Sequence, residues 1–331
     1  MEVTGIGNVD LKQNTDFCEL LEAGNGLWQA GSDGVKAVLG MKDKKAEIVV
    51  FKNKTIVNIR SAMGHPAMYE LKDDVFEGPA EFVLMDLDGT SVRSEPFWIW
   101  IIEQTIASLL GNPGFSLEPD DEPFVSGHSV SEHIQYCIDK YCPDKTVEEA
   151  RPHYFRITRH EMNKIVEGQG RNDAFVPASG LKEFLLTLKK NRIKTGLVTS
   201  GLHEKAWPEI LSAFRTMDMG DPLDFYDAII TAGFSIKRGH AGTLGELSPK
   251  PHPWLYAETA RIGLGVSPGR RHKVIGIEDS SAGVLSIRLA GFSAIGIKGG
   301  NIEQGGAGSL LRCYSENLLN TLPVILGEND R

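Results

Sequence analysis

The segment Phe82-Val83-Leu84-Met85-Asp86-Leu87-Asp88-Gly89-Thr90 is an apolar run of strand length that ends in two carboxylates one residue apart. The run predicts a buried strand, and Gly89 lets the backbone turn sharply after it. At the end of such a strand Asp86 faces the crevice where open parallel sheets bind ligands, and Asp88 leaves on the same side. Asp86 there can attack phosphorus or bind a hard cation, and Asp88 can move protons for it. The alternative is a solvated turn or a calcium loop, since both use Asp-x-Asp-Gly.

Three later segments also carry polar groups suited to a phosphate. Val198-Thr199-Ser200-Gly201 follows an apolar run and offers hydroxyls and backbone N–H groups. Lys250-Pro251-His252-Pro253 puts a lysine just before a predicted helix start, where it can neutralise a phosphoryl oxygen. Residues 274–281 form a third apolar run that ends in Glu278 and Asp279. Carboxylates from two strand ends would suit magnesium, which prefers oxygen ligands.

Each of these segments also has a simpler interpretation. Thr199 fits an ordinary turn hydroxyl, and Lys250 fits a solvated surface charge. Glu278 and Asp279 fit an acidic pair that the macrodipole favours at a helix N-terminus. The conjunction of all four segments in one chain favours a shared site over these separate interpretations.

In this order the four motifs, DLDGT, VTSG, KPHP and GIEDSSAGV, resemble those of the haloacid dehalogenase superfamily of phosphohydrolases. The resemblance covers roughly residues 80 to 300 and points to the helical-cap subgroup that includes β-phosphoglucomutase and a phosphonate hydrolase. It implies an α/β fold with a doubly wound, Rossmann-like parallel sheet, an inserted α-helical cap and, in this chain, an N-terminal extension.

The resemblance also implies a role for each motif residue. Asp86 is implied as the nucleophile and Asp88 as the general acid/base. The implied phosphate-binding residues are Thr199, Ser200 and Lys250. The implied Mg²⁺ ligands are Asp86, Asp88, Glu278 and Asp279. The chemistry implied is phosphoryl transfer to Asp86, which gives an aspartyl-phosphate that water then hydrolyses.

Composition limits the classes of partner. The chain has 331 residues and a net charge of −9, which argues against a nucleic-acid surface. A small phosphorylated metabolite needs only a few local cations. Four scattered cysteines are too few for a disulfide scaffold. The first residues lack signal-peptide features and no apolar run approaches membrane-spanning length, so a cytoplasmic protein without a membrane partner is expected.

Three regions are predicted along the chain. Residues 1–79 form an N-terminal extension to which the resemblance does not extend. Residues 95–175 have helical periodicity and are predicted to form the cap. Residues 80–94 and 176–331 alternate strands with helices and are predicted to form the α/β core.

Two of these regions contain features whose role stays open. The extension has two predicted strands, 46–51 and 55–59, and could serve as a β-rich appendage, a surface for homo-oligomer formation or a packed extension of the core. In the core, residues 234–249 are predicted as a long glycine-rich loop of unknown role, and residues 293–297 as the final strand.

The motifs favour a Mg²⁺-dependent phosphatase that acts on a small phosphorylated metabolite such as a sugar phosphate. One alternative is a β-phosphoglucomutase-like phosphotransferase. It is disfavoured because Trp98 stands where the mutase has a histidine, and Val130 stands where the mutase has a cap arginine. A second alternative is a catalytically silent binding or regulatory protein, which has no chemical need for the intact set of motifs.

Three further residues are candidates for substrate specificity. Arg93 could contact a substrate phosphate or pair with a surface carboxylate. Trp98 could line the substrate site or pack within the cap. His128 lies in a predicted cap loop, where a solvated histidine is the alternative.

Overall fold

The computed structural model describes residues 1–59, 67–121, 130–231, 234–237, 240–243 and 249–328. The chain divides into two compact units. The core unit comprises Met1–Thr90, Ser179–His203 and Leu223–Arg331. The helical unit comprises Ser91–Ala178 and Glu204–Pro222.

The described strands and helices follow one another in a mixed order. The strands are β1 (Glu2–Val3), β2 (Gly7–Asn8), β3 (Phe17–Leu20), β4 (Val35–Met41), β5 (Ala46–Phe51), β6 (Thr55–Ile59), β7 (Ala67–Leu71), β8 (Phe82–Asp86), β9 (Val92–Arg93), β10 (Val176–Pro177), β11 (Lys194–Val198), β12 (Ala228–Thr231), β13 (Phe234–Lys237), β14 (His240–Thr243), β15 (Val274–Glu278), β16 (Ser293–Ile297) and β17 (Cys313–Ser315). The helices of at least four residues are Glu95–Leu110, Val130–Tyr141, Val147–Val166, Leu181–Lys190, His203–Met217, Trp254–Glu258, the π-helical Thr259–Gly263, Ser281–Leu289, Ile302–Gly305 and Leu322–Leu326, and a 3₁₀-helix covers Pro268–Lys273.

The core unit contains an eight-stranded sheet in which β8 is central. Its order is β14-β13-β12-β11-β8-β15-β16-β17. Six neighbouring strands in this order are parallel, namely β12, β11, β8, β15, β16 and β17. From β8 the chain builds outward through β11 and β12, then crosses to the other side of β8 for β15 to β17. This reversal makes β8 the topological switch point, where α/β sheets bind ligands at the carboxyl ends of their strands. The predicted doubly wound α/β fold is confirmed.

Strand composition explains the position of β8 and β15. Both strands are apolar along their length, and all residues of β15 are buried. Strands that are covered on both faces of a sheet have continuous apolar sequences of this kind. Each run ends in a carboxylate, Asp86 on β8 and Glu278 on β15, so the apolar pattern delivers both acids to the same edge of the sheet.

Two details of the predicted core are wrong. Residues 234–249 are not one long loop, because β13 and β14 pair with each other and β13 pairs antiparallel with β12. Two four-residue segments separated by two residues that include Gly239 have hairpin spacing, which the many glycines obscured. The final strand is β17, which pairs with β16. Its three half-buried residues are too few to show a period.

The N-terminal extension folds as a five-stranded antiparallel sheet with the order β3-β4-β5-β6-β7. The predicted strands 46–51 and 55–59 correspond to β5 and β6, whereas β3, β4 and β7 were missed. One face of this sheet shares a hydrophobic core with the helix Ser281–Leu289. In that helix Arg288 is 1% exposed and donates hydrogen bonds to the carbonyls of Gly5 and Lys72.

The helical unit contains the helices Glu95–Leu110, Val130–Tyr141 and Val147–Val166 and most of His203–Met217. Strands β9 and β10 pair antiparallel within it. The helix Val147–Val166 begins with a capping box, in which Thr146 and Glu149 satisfy each other's backbone N–H groups. No helix among the described residues has the length and apolar character needed to cross a membrane.

Candidate active site

The register of the parallel sheet brings the ends of three motifs together. Asp86 pairs with Val198, so Thr199 follows at the same level on the next strand. On the other side of β8, Met85 pairs with Ile277, so Glu278 follows beside Asp86. Residues that are far apart in the sequence therefore meet at the switch point because their strands are parallel and in register.

Lys250 joins the first and last of these strands. Its Nζ forms ion pairs with Oδ1 of Asp86 and, at 2.6 Å, with Oε1 of Glu278. The side chains of Lys250, Asp86 and Glu278 are 8%, 7% and 1% exposed. The three charged groups are therefore almost fully withdrawn from water. In this buried environment their interactions are much stronger than on a surface.

Hydrogen bonds fix both acids of the last motif. Oε1 of Glu278 accepts from the Tyr256 hydroxyl at 2.9 Å. Oε2 accepts from the backbone N–H groups of Asp279 and Ser280 at 3.1 and 3.0 Å, and from the Ser280 hydroxyl at 2.9 Å. Oδ1 of Asp279 accepts from the Thr90 hydroxyl at 3.0 Å. The two carboxylates are thus held in defined orientations.

The second motif contacts the first and the third. The Thr199 hydroxyl lies 3.4 Å from Oδ2 of Asp88 and accepts from the Gly201 N–H at 2.9 Å. The Ser200 hydroxyl accepts from the backbone N–H of Lys250 at 3.2 Å. Thr199 is buried and Ser200 is exposed. The structure therefore brings together Asp86, Asp88, Thr199, Ser200, Lys250, Glu278 and Asp279 in one cluster.

The cluster has an excess of negative charge. Burial raises the pKa of Asp86 well above its usual value, Glu278 raises it further, and Lys250 opposes both. Burial and then Glu278 raise the pKa of Asp279 to about 7, against the effects of Thr90 and Lys250. Burial would lower the pKa of Lys250, but Asp86 and Glu278 outweigh it and raise that pKa. The carboxylates repel one another more than the lysine can offset.

The donor set of this cluster fits a divalent cation. Among the described residues, Asp86, Glu278 and Asp279 can each offer an oxygen such that the three atoms lie within 4.8 Å of one another. Hard cations such as Mg²⁺ prefer oxygen ligands, and a positive charge here would offset the repulsion among the acids. The group does not include the carboxylate of Asp88, so a ligand role for Asp88 stays a prediction.

Glycines allow the close packing around the last motif. A Cβ on Gly89, whose φ is +85°, would lie 2.1 Å from Oδ2 of Asp279. A Cβ on Gly300 would lie 2.4 Å from the same oxygen, and one on Gly283 would lie 1.8 Å from Oε1 of Glu278. Each position must therefore lack a side chain for the acids to stay where they are.

Sequence reasoning missed several of these supporting residues. Tyr256 is fully buried against Glu278, and nothing in its sequence context distinguishes it from a core tyrosine. Thr90 is the last residue of the DLDGT motif, and the motif alone does not show that its hydroxyl holds Asp279. The role of Gly300 could have been predicted from the sequence. Gly299 and Gly300 follow shortly after β16, and glycines after a buried strand often mark a close backbone approach.

Two of the three candidate specificity residues, Arg93 and Trp98, belong to the helical unit. Arg93 is exposed on β9 in the helical unit. Trp98 is half-buried in the same unit, where its ring contacts Phe97 and Phe175 and lies 3.9 Å from Nζ of Lys205. His128 lies outside the described residues.

Comparison with known proteins places this arrangement in a family. Residues 81–291, more than half of the chain, match the haloacid dehalogenase-like hydrolases. The chain belongs to this family. All four motifs and the strands β8, β11 and β15 that carry three of them fall inside the matched region, whereas the N-terminal sheet lies outside it.

Individual relatives agree with the family assignment. Validoxylamine A 7'-phosphate phosphatase from Streptomyces hygroscopicus subsp. limoneus is 28% identical over 226 residues, which cover 65% of this chain and 84% of that protein. A predicted phosphoglycolate phosphatase from Haemophilus somnus has a similar fold, with a TM-score of 0.55 and 18% identity over 75% of this chain and 98% of its own. A haloacid dehalogenase hydrolase of subfamily IA from Geobacter sulfurreducens has a TM-score of 0.51 and 17% identity, over 76% of this chain and 99% of its own.

Proposed function

We propose that this hydrolase is a Mg²⁺-dependent phosphatase that cleaves a small phosphorylated metabolite through an aspartyl-phosphate on Asp86. The observation that carries the proposal is the buried ion pair between Lys250 and Asp86 at the switch point of the sheet. A lysine in this position can hold a phosphoryl oxygen beside the attacking carboxylate. Withdrawal from water strengthens that attraction and keeps competing water away from the reacting atoms.

The proposed chemistry assigns one task to each side chain. Asp86 attacks phosphorus in line, and the bond to the leaving oxygen breaks as the bond to Asp86 forms. Asp88 gives its proton to the departing oxygen and takes one back from the water that hydrolyses the aspartyl-phosphate. Lys250, Thr199 and Ser200 bind the phosphoryl oxygens in both steps.

Asp86, Glu278 and Asp279 would hold the metal ion in this proposal, with Asp88 as a further ligand. When bound, Mg²⁺ supplies positive charge that offsets the repulsion between the phosphoryl group and the carboxylates. Support comes from the excess of buried carboxylates over the lysine and from the oxygen-only donor set. Tyr256 and Thr90 then act as positioning residues that keep Glu278 and Asp279 oriented.

The substrate is proposed to be a phosphorylated metabolite of the size of a sugar phosphate. The Streptomyces relative is named for activity on a 7'-phosphate, which favours a phosphate ester of a small molecule. The net charge of −9 disfavours nucleic acid. A cytoplasmic location belongs to the same proposal, and a homo-oligomer formed through residues 1–79 remains an alternative use of that segment.

The test is phosphate release from p-nitrophenyl phosphate and from a panel of sugar phosphates and nucleotides with Mg²⁺ present. We expect turnover of the generic ester and a clear preference within the panel. Trp98→Ala is expected to change the order of preference among the substrates. Lys250→Ala is expected to lower kcat/KM by a similar factor for all of them, because Lys250 acts on the phosphoryl group that they share.

Trp100→Ala is the matched control, since Trp100 is on the same helix with its ring covered by Arg171. It should leave the order of preference unchanged. No phosphate release from any panel member would contradict the proposed function. If Trp98→Ala changes kcat/KM by the same factor for every substrate, Trp98 has a packing role and no part in specificity.

Gly89→Ala is expected to lower kcat/KM at least about tenfold, because the new Cβ would displace Asp279 and the positive φ would strain the backbone. Gly265→Ala is the matched control, since Gly265 has a φ of +71° but open space where the Cβ would lie. Both variants should lose about 1–2 kcal/mol of unfolding free energy from the backbone. Equal activities of the two variants would show that Asp279 tolerates displacement.

A further inference from the structure

The N-terminal sheet, β3 to β7, lies outside the region that matches the family, yet it is part of the core unit. Ile48 and Val50 of β5 belong to the same hydrophobic core as Val284 and Ile287 of the helix Ser281–Leu289. That helix begins directly after Glu278, Asp279 and Ser280. The sheet therefore packs against the element that carries the metal-side acids.

One polar contact joins this sheet to the loop that carries Lys250. The Tyr69 hydroxyl on the edge strand β7 lies 3.0 Å from Nδ1 of His252. The Tyr69 ring also packs edge-on against the rings of His252 and Trp254, with centroids 5.9 and 6.2 Å away. His252 and Trp254 stand two and four residues after Lys250, so Tyr69 holds the segment that follows the lysine.

The same loop is held from its other side. The carbonyl of His252 accepts a buried hydrogen bond of 2.6 Å from the Ser286 hydroxyl. Ser286 lies on the helix Ser281–Leu289. His252 is 6% exposed and is therefore fixed between the N-terminal sheet and the helix that follows the last motif.

A second polar contact joins the sheet to the last motif itself. Asp43 lies in the turn between β4 and β5, and its Oδ2 accepts from the Ser281 hydroxyl at 2.6 Å. The backbone N–H of Ser281 donates at 2.9 Å to Oδ1 of Asn301, so both the N–H and the hydroxyl of this residue are engaged. Ser281 is two residues beyond Asp279. Asp43 therefore holds the chain at the point where it leaves the metal-side acids.

We propose that the N-terminal sheet is a positioning element for the active site, in which Tyr69 positions Lys250 and Asp43 positions Glu278 and Asp279. This inference rests on the proposed function. Groups that stabilise a reacting phosphoryl unit must be held within a fraction of an ångström, and supporting hydrogen bonds provide that precision. The two contacts act on different loops, so their loss has different consequences.

Tyr69→Phe keeps the ring and removes the hydroxyl. We expect kcat/KM to fall about five- to tenfold, which is the usual effect of one lost hydrogen bond that leaves its partner unsatisfied. The affinity for orthovanadate, a phosphate analogue, should fall by a similar factor at saturating Mg²⁺. The Mg²⁺ concentration that gives half-maximal thermal stabilisation should stay within about twofold of the parent value, because Tyr69 does not contact the last motif.

Asp43→Ala is expected to give the reverse pattern. The Mg²⁺ concentration for half-maximal thermal stabilisation should rise about five- to tenfold, and orthovanadate affinity at saturating Mg²⁺ should change little. Asp43→Asn keeps an acceptor oxygen for the Ser281 hydroxyl and should restore Mg²⁺ binding to near the parent level. This rescue separates positioning from a general loss of stability.

Val49→Ala is the control for stability. Val49 lies on β5 between Ile48 and Val50 and faces the opposite side of the sheet, in a separate cluster with Val35 and Val38. Its truncation should lower Tm without changing kcat/KM, orthovanadate affinity or Mg²⁺ affinity. If Tyr69→Phe and Asp43→Ala change only Tm, as Val49→Ala does, the positioning role is overturned.

The binding measurements need no turnover, so they separate this inference from the proposed function. A parent protein that binds Mg²⁺ and orthovanadate but releases no phosphate would contradict the function, while the two variants would still decide the positioning role. A parent protein whose Tm responds to neither probe would overturn both.

Discussion

Asp86→Asn is expected to lower kcat at least about a hundredfold while the protein stays folded, because the amide keeps the shape of the side chain but cannot attack phosphorus. Stability should change little. Asp86 loses its attraction to Lys250, but burial of its charge and repulsion from Glu278 and Asp279, which raise its pKa, are removed at the same time. Lys250 keeps its ion pair with Glu278.

The measurement is steady-state hydrolysis of p-nitrophenyl phosphate together with thermal unfolding. Asp16→Asn provides a matched control, because Asp16 is a half-buried aspartate of the core unit that bonds Ser309 and lies outside the site. A quenched reaction with labelled substrate should trap phosphate covalently on the parent protein and none on Asp86→Asn. Residual turnover above about a hundredth of the parent rate would remove Asp86 from the nucleophile role.

The position of Asp86 could be predicted because the sequence signal and the fold describe the same local feature. β8, β11 and β15 are short apolar runs, and polar residues follow each of them directly. In a parallel sheet such residues meet at one edge, so the grouping of Asp86, Thr199 and Glu278 follows from strand order alone. Lys250 is in a loop, and its position was implied by family resemblance and not by periodicity.

The supporting contacts could not be predicted in this way. Tyr69 and His252 are 183 residues apart, and Asp43 and Ser281 are 238 residues apart. A tyrosine on an edge strand and an aspartate in a turn have ordinary local roles, so the sequence around each gives no sign of its distant partner. β7 was missed for a related reason, since only its last residue, Leu71, is buried and the four before it, which include Glu70, are half-buried or exposed.

Chelation of divalent cations is expected to lower hydrolysis at least about a hundredfold, and Mg²⁺ is expected to restore it. Asp86, Glu278 and Asp279 place three carboxylates together, and Lys250 forms ion pairs with two of them, Asp86 and Glu278. An incoming phosphoryl group adds further negative charge to a buried site. Lys250 therefore cannot by itself hold the phosphoryl group against the combined repulsion of the acids.

Calcium should bind the same acids without restoring turnover. Ca²⁺ takes six to eight oxygen ligands at longer distances than Mg²⁺, so it would engage both oxygens of Asp86 and leave no lone pair aimed at phosphorus. Rates measured against free Mg²⁺ at several Ca²⁺ concentrations should show inhibition that excess Mg²⁺ reverses. Asp279→Asn should raise the Mg²⁺ requirement, and Asp16→Asn should not. Equal rates with Ca²⁺, or full activity in the chelator, would mean that these three carboxylates serve some purpose other than holding a catalytic cation.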